Sequence, residues 1–279
     1  MIDLILAVVS SMLVSVIMRV SEKHIHNNIS MLASNYLMCT VLAAVCTGTR
    51  ELFPVSAEGF PFSVGLGLIS GVFYMSSFML LQWNTKKNGI VLSSMFMKLG
   101  VMVPTLMAIV VFHEKPQAVQ VLGMLLAVAA ILLINMEKGS GKAASSAGLV
   151  FLLIAGGMTD GMAKIYEELG VGALKNHFLL YTFIVAFAMC VAVCLVKKQG
   201  LTKADLGFGL LIGIPNYGSA LFLLRSLSSI PAMIAYPTYS VASIVLVTLV
   251  GMMVFKEKLS RRQGISMLII FAALVLLNI

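Results

Sequence analysis

Long uninterrupted runs of apolar residues are the feature that most restricts how this chain can fold. Ten such runs follow one another, with short polar turns between them. A bilayer core about 30 Å thick is crossed by about 20 residues of α-helix. Because backbone polar groups find no water in hydrocarbon, a run of this kind crosses the bilayer as a helix. The pattern predicts an all-α integral membrane protein with ten transmembrane helices.

The composition agrees with a chain that is dissolved in lipid. Only 11% of the residues are charged and 60% are hydrophobic, whereas soluble domains carry about 25% charged residues. The turns between the runs leave no room for a soluble domain. The predicted spans cover Ile2–Val20, Ser30–Thr47, Pro61–Trp83, Gly89–Phe112, Gln117–Asn135, Ala147–Glu167, His177–Val196, Asp205–Leu227, Pro231–Phe255 and Arg262–Ile279.

The formal net charge of +8 does not indicate a nucleic-acid-binding protein. The lysines and arginines lie in short gaps between apolar runs and form no stripe or tail. We therefore expect a small-molecule substrate and the lipid bilayer as partners, and no nucleic acid. We further expect a monomer or homodimer that spans the plasma membrane of a bacterial cell several times.

The chain repeats internally. The segment "FHEKPQAVQVLGMLLAVAAILLIN" and the segment "FKEKLSRRQGISMLIIFAALVLLN" align at a constant offset, which places Glu114 in register with Glu257 and Asn135 in register with Asn278. Shared hydrophobicity cannot place polar residues in register. The repeat predicts two five-helix halves, 1–136 and 147–279, joined by the linker 137–146. Since each half has an odd number of spans, the second half enters the membrane upside down, as in many secondary transporters.

This organisation resembles the drug/metabolite transporter superfamily, and specifically its EamA-like transporters. The resemblance rests on ten spans in two halves, on "FHEK" and "FKEK" after each fourth span, and on a Gln that opens each fifth span. It implies a secondary-active carrier, and more specifically an exporter, of small polar metabolites that works by alternating access. It also implies a central cavity lined mainly by the third, fourth, eighth and ninth spans.

Membrane orientation stays open at this stage. Most basic residues follow odd-numbered spans, and basic loops face the cytosol, which would leave both termini outside. Relatives in the family usually keep both termini in the cytosol.

Lys98 is the most informative residue, because it stands in an apolar run without another charge from Gly89 to Phe112. A charge at the centre of a span costs about 2.5 to 3.5 kcal/mol and normally faces an interior, a cavity or a partner. At about 100° per residue, Ser94, Lys98 and Thr105 fall on one helix face. We predict that Lys98 neutralises an anionic group of the substrate; a structural ion pair is the alternative.

Three other spans carry uncharged polar stripes on the helices that the family would use. Hydroxyl, amide and aromatic groups of this kind can hold a small amphipathic solute, although serines and tyrosines also bond neighbouring helices in any membrane bundle. The predicted substrate-binding residues on these spans are Ser70, Tyr74 and Ser77, then Asn216 and Tyr217, and finally Tyr236, Tyr239, Ser240 and Ser243.

Four further charged residues need an interpretation. Asp160 lies well inside a span, and could carry a coupling proton or form an ion pair with Lys98 or Lys164; Lys164, four residues later, is the favoured partner. Glu114 and Glu257 stand at the ends of equivalent helices, where we expect a structural or gating role. Glycine pairs, such as Gly209 and Gly213, predict close helix packing.

Other function classes find little support. The chain has no G-x-x-x-x-G-K-[ST] motif, which excludes ATP hydrolysis. Its cysteines lie in apolar runs without a histidine or acid beside them, so we expect no metal and no cofactor. A polytopic membrane enzyme would need clustered acids or histidines, and we expect no catalytic residues. A facilitative sugar or metabolite uptake carrier and a broad-specificity drug exporter are the alternatives within the transporter class.

Overall fold

A computed structural model describes residues 1–48, 52–135, 146–256 and 261–279. Within these residues the chain forms α-helices, one short 3-10 turn at Gly172–Leu174 and no β-strand. This confirms the predicted all-α membrane fold. The helices are α1 (Ile2–Ser21), α2 (Asn28–Thr47), α3 (Phe60–Asn88), α4 (Ile90–Leu99), α5 (Met102–Val110), α6 (Ala118–Asn135), α7 (Ser146–Leu169), α8 (Lys175–Val196), α9 (Lys203–Ser226), α10 (Ala232–Val254) and α11 (Arg261–Leu277).

These helices correspond to the ten predicted spans, because α4 and α5 together form the fourth. In the described residues, eight segments are long and apolar enough to cross a bilayer, and Ala118–Leu133 and Gly264–Leu277 are shorter apolar helices. The chain is therefore a multi-pass integral membrane protein.

The fourth span breaks at Gly100 and Val101. Pro104 has no N–H, so the carbonyl of Gly100 loses its usual helical donor. The N–H of Val103 donates to this carbonyl instead, at 2.9 Å, and the N–H of Val101 donates to the carbonyl of Lys98 at 3.4 Å. These bonds reach three residues back, as in a 3-10 helix.

The chain forms two compact units that do not follow the two predicted halves. The first unit contains Met1–Met75 and Ile165–Ser228, and the second contains Ser76–Lys164 and Ser229–Ile279. Each unit therefore takes helices from both halves of the sequence, while α3 and α7 contribute residues to both units.

Glycines hold the helices of the first unit close together. A methyl group added to Gly213 of α9 would lie 2.6 Å from the carbonyl oxygen of Asn35 on α2, and one added to Gly71 of α3 would lie 2.5 Å from that of Thr182 on α8. Gly67 and Gly209, one turn earlier, meet the backbones of α8 and α2 in the same way. Only a residue without a side chain fits such an approach.

Asp205 ties the start of α9 to the start of α2. Its carboxylate accepts hydrogen bonds from the backbone N–H groups of Thr202 at 3.1 Å, His26 at 2.8 Å and Asn27 at 3.2 Å. The Thr202 hydroxyl accepts in return from the N–H of Asp205, which completes a capping box. The Asn27 side chain caps α2. The Asp205 charge is buried but fully hydrogen-bonded.

The second unit is built around α6, α10 and α11, which pack against one another, with α5 against α10 and α4 against α6. Gly157 of α7 lies against Gly100 and Val103 at the break in the fourth span. Asn84 of α3 donates to the carbonyl of Gly148 on α7 at 2.9 Å. A backbone irregularity in the membrane needs such neighbours to satisfy or cover its polar groups.

Candidate functional site

The predicted substrate-binding residues are divided between the two units. Ser70, Tyr74, Asn216 and Tyr217 lie in the first unit. The second unit holds the remaining ones, which are Ser77, Ser94, Lys98, Thr105, Tyr236, Tyr239, Ser240 and Ser243, together with Asp160, Lys164 and Glu114.

In the first unit, Tyr74 and Tyr217 belong to an aromatic cluster around Phe183. The ring centroid of Phe183 lies 5.7 Å from that of Tyr74, 6.2 Å from that of Tyr217 and 6.2 Å from that of Tyr36. The contacts with Tyr74 and Tyr217 are edge-on, a favourable arrangement for aromatic pairs. Four helices, α2, α3, α8 and α9, each contribute one ring.

An amide pair lies in the same unit. The Asn216 amide donates to the side-chain oxygen of Asn35 at 3.2 Å. The thiol of Cys39 donates to the carbonyl of Gly213 at 3.4 Å. This polar contact is possible because Gly213 lets α9 approach α2 closely. Asn35 is buried and Asn216 is half-buried.

The Tyr217 hydroxyl of this cluster has no hydrogen-bond partner in the described part of the chain. The residue is 4% exposed, and its hydroxyl oxygen is buried without a hydrogen bond. Leaving such a group unsatisfied costs about 1 to 3 kcal/mol. A polar group of a bound solute would remove this cost. Ser70, one turn before Tyr74, is buried on α3.

In the second unit, the predicted stripe of Ser94, Lys98 and Thr105 does not share one environment. Lys98 is exposed and Ser94 is half-buried. Thr105 is buried, and its hydroxyl donates to the carbonyl of Val101 at 2.8 Å, within its own span. Among the described residues, no carboxylate lies within ion-pair distance of the Lys98 ammonium.

Tyr236 joins α10 to α7 within the second unit. It is fully buried, and its hydroxyl donates to the backbone carbonyl of Asp160 at 2.7 Å. Tyr239 and Ser240 are half-buried farther along α10. The hydroxyl oxygen of Ser243 is buried without a partner among the described residues. Ser77 is buried near the middle of α3.

The structure corrects the expected ion pair between Asp160 and Lys164. The Lys164 ammonium lies 2.8 Å from a carboxylate oxygen of Glu114, which is 50 positions earlier in the chain. The described residues place no basic group within ion-pair distance of the Asp160 carboxylate. Spacing of four residues made the Asp160 pair possible, but Lys164 pairs with Glu114, which lies in the loop between α5 and α6. Glu257 lies outside the described residues.

Glu114 also caps α10. Its two carboxylate oxygens accept from the N–H of Ala232 at 3.0 Å and from the N–H of Met233 at 2.9 Å. Pro231, which precedes α10, offers no side-chain cap. A carboxylate at this position satisfies free N–H groups and complements the positive end of the helix dipole. One carboxylate therefore neutralises the buried Lys164 and closes the start of α10.

Sequence reasoning missed four members of the cluster in the first unit, namely Asn35, Tyr36, Cys39 and Phe183. The polar triplet "SNY" at residues 34–36 interrupts the second apolar run and is a signal that could have identified the first two. Phe183 and Cys39 offered no signal, because both are ordinary apolar residues in an apolar run. The described residues hold no group of three or more metal-binding side chains.

Two family models match separate parts of the chain. Residues 1–136 match the EamA-like transporter family. Residues 176–270 match the Small Multidrug Resistance protein family. The two matches fall on the two halves of the sequence.

Two bacterial proteins are similar to the chain in sequence. An uncharacterized protein of Haemophilus influenzae is 23% identical over 284 aligned positions, which cover 98% of this chain and 96% of that protein. The uncharacterized membrane protein YvaE of Bacillus subtilis is 36% identical over 98 positions, which cover 33% of this chain and 82% of that protein.

A protein of known crystal structure shares the fold. It matches 99% of this chain and 94% of its own length, with a TM-score of 0.72 and 13% sequence identity. At this identity the likeness establishes the fold alone.

Proposed function

We propose that this chain, which belongs to the EamA-like transporter family within the drug/metabolite transporter superfamily, is a secondary-active exporter of a small anionic or zwitterionic metabolite. The family makes the chain a membrane transporter. The substrate class, the direction and alternating access are the proposal. Amino acids and related solutes with a carboxylate or phosphate are the substrates that we expect.

The observation that carries the proposal is the exposed Lys98 residue, which has no carboxylate partner among the described residues. It lies within an 18-residue segment, Ser93–Val110, that is apolar enough to cross the membrane. A charge at this depth is costly in lipid, so it needs water, a counter-ion or a ligand. Since no described carboxylate pairs with it, a negatively charged group of the solute is the simplest partner.

The break beside Lys98 supports a ligand-binding role. Irregular backbone inside a membrane is tolerated where it is buried in protein or lines a water-filled cavity, and transporters place their sites at interrupted helices. Lys98 stands two residues before Gly100, at the end of α4. The carbonyl groups of Lys98 and Gly100, which accept hydrogen bonds from the N–H groups three residues later, lie on the same turn.

A thermal-shift screen of the purified protein tests the proposal. Ligands that bind only the folded state raise its apparent stability by mass action. Amino acids, phosphorylated metabolites, sugars and lipophilic cations would be compared on wild type, Lys98→Gln and Lys98→Arg. Lys86→Gln is the matched control, because Lys86 is also an exposed lysine at a helix end.

The expected result is that an anionic or zwitterionic solute stabilises wild type and the Lys86→Gln control but not Lys98→Gln, with partial recovery in Lys98→Arg. The same solute should then exchange across proteoliposome membranes that contain wild type. A solute that stabilises wild type and Lys98→Gln equally would refute the role of Lys98. Stabilisation by uncharged compounds only would favour an uptake carrier for sugars or similar metabolites.

A drug exporter is the second candidate, and the match of residues 176–270 to the Small Multidrug Resistance family favours it. Aromatic rings bind organic cations through their faces, and the cluster around Phe183 supplies four rings. Lipophilic cations are therefore included in the screen. If they stabilise wild type and Tyr74→Leu lowers this effect while Lys98→Gln does not, the drug-exporter function replaces the metabolite function.

A further inference from the structure

A groove runs along the first unit between α2 and α8. It has a volume of about 250 Å³ and continues to the turn that follows α8. Its walls are largely apolar, with Leu37 of α2, Phe187 and Leu195 of α8, and Leu201 of the following turn among the lining residues. In a chain that spans a bilayer, an open apolar groove of this kind is filled by lipid acyl chain or by a ligand of similar chemistry.

Exposed lysines alternate with the residues that line the end of the groove. Lys197 and Lys198 stand between the lining residues Leu195 and Gln199, and Lys203 follows the lining residue Leu201. All three lysines are exposed. The groove therefore has an apolar floor and a basic rim.

Nearby acids do not cancel this charge. The Asp205 carboxylate accepts hydrogen bonds from three backbone N–H groups and keeps its single negative charge, and Glu22 pairs with Arg19 at 3.3 Å, so the three lysines outnumber the charge of Asp205. The loop between α1 and α2 is joined to the start of α9 by Asp205. This loop adds the side chains of Lys23, His24 and His26. The ring of His24 packs 5.5 Å from that of Phe208.

Polar groups lie where a headgroup would meet the groove. The side-chain oxygen of Gln199 is buried and has no hydrogen-bond partner in the described part of the chain. The Ser30 hydroxyl donates to the carbonyl of Gly200 at 3.1 Å, so its proton is already used. Gln199 is the acceptor that remains for a hydroxyl of a bound molecule.

We propose that this groove is a binding site for an anionic phospholipid with a hydroxylated headgroup, of the phosphatidylglycerol class. One acyl chain lies between α2 and α8, the phosphate meets Lys197 and Lys198, and a glycerol hydroxyl donates to Gln199. Basic pockets between transmembrane helices bind anionic headgroups in this way. The turn after α8 is one of the turns after odd-numbered spans, which carry most of the basic residues of the chain.

Native mass spectrometry of the delipidated full-length protein tests the site. Phosphatidylglycerol and phosphatidylcholine with the same acyl chains would be titrated against wild type, Lys197→Gln/Lys198→Gln and Ala33→Trp, whose indole would fill the groove. The double variant Lys86→Gln/Lys87→Gln removes two exposed lysines elsewhere and is the matched control.

We expect wild type and the control to bind one phosphatidylglycerol in preference to phosphatidylcholine. Each near-surface lysine contributes about fivefold to such binding, so Lys197→Gln/Lys198→Gln should lose about 25-fold of the preference. Ala33→Trp should lose the bound lipid. Equal affinity for the two lipids in wild type, or an equal loss in the control, would refute the site. The exposed lysine variants remain informative if Ala33→Trp does not fold.

Discussion

Glu114→Ala tests the ion pair with Lys164 and the cap of α10, both of which Glu114 forms in the second unit. The variant would leave the Lys164 ammonium, whose side chain is 3% exposed, without a counter-charge. Removing one partner of a buried ion pair costs about 3 to 5 kcal/mol. The loss of the cap on α10 is part of this cost, since a cap contributes about 1 kcal/mol. We therefore expect the free energy of unfolding to fall by about 3 to 5 kcal/mol.

The double variant Glu114→Ala/Lys164→Met separates the ion pair from the cap. It removes both charges and leaves only the two uncapped N–H groups at the start of α10. Its cost should fall to about 1 to 2 kcal/mol, which is less than the cost of Glu114→Ala alone. Residues in direct contact show such non-additive effects, whereas independent sites add.

Unfolding in mixed micelles can be followed by the fluorescence of Trp83, the single tryptophan of the chain. Trp83 lies beside Gly148 of α7 in the same unit as Glu114 and Lys164, so its signal reports this unit. The single variant Lys164→Met completes the comparison. If the double variant lost as much unfolding free energy as Glu114→Ala and Lys164→Met together, the Glu114 and Lys164 side chains would be acting independently. That result would refute the ion pair.

The remaining predictions concern packing, the aromatic cluster and coupling. Gly213→Ala should cost about 1 to 3 kcal/mol of unfolding free energy, because the new methyl group collides with α2, whereas Gly207→Ala, which meets nothing within 4 Å, should be neutral or stabilising in thermal denaturation. Tyr217→Phe should leave the melting temperature unchanged or raised, because a buried unpaired hydroxyl is lost, and should reduce ligand-induced stabilisation; an unchanged ligand effect would exclude the hydroxyl from the site. Asp160→Asn should abolish any dependence of transport on an imposed pH gradient; a wild-type rate that ignores the gradient would remove the coupling role. Because Glu257 corresponds to Glu114 in the repeat, Glu257→Ala should destabilise the protein in the same assay.

Hydrophobic runs predicted the helices because every span needs about 20 mostly apolar residues to cross the hydrocarbon core of a bilayer. The same signal misjudged some helix ends. The third run was predicted to end at Trp83, but α3 continues to Asn88. The Lys87 ammonium lies 4.4 Å from the centre of the Trp83 ring, and the Asn88 amide donates to Asn84 at 2.8 Å. Polar residues can extend a helix beyond the hydrocarbon, where hydropathy no longer marks it.

Partners of charged residues were harder to predict than spans. The spacing of Asp160 and Lys164 suggested a pair within one helix, since residues four apart are neighbours there. Glu114 is a better partner because its carboxylate is already held by the two N–H groups of α10. A contact between segments 50 positions apart depends on the packing of helices, which periodicity does not specify.

Repeated contacts in the first unit add a structural argument to the predicted duplication. Gly71 of α3 meets Thr182 and Val185 of α8. Gly213 of α9 meets the corresponding residues Asn35 and Met38 of α2. Four pairs of partners keep the same separation of 147 positions along the chain: Met31 and Phe178, Ser34 and Tyr181, Asn35 and Thr182, and Met38 and Val185. Unrelated helices that pack through small residues have no reason to repeat this register.

The same contacts bear on how such a unit can move. Four glycines bring two pairs of helices, α3 with α8 and α9 with α2, to backbone distance, and added methyl groups would overlap main-chain atoms at each of them. Closely packed interiors do not deform continuously, because small displacements already create overlaps. We therefore expect the contacts of α2 with α9 and of α3 with α8 to persist through a transport cycle. A disulfide between the native Cys39 of α2 and a cysteine introduced at Asn216 of α9, whose amide nitrogen lies 3.6 Å from the Cys39 sulfur, should then leave the transport rate of the reduced variant unchanged, whereas inhibition that a reductant reverses would show that these helices separate.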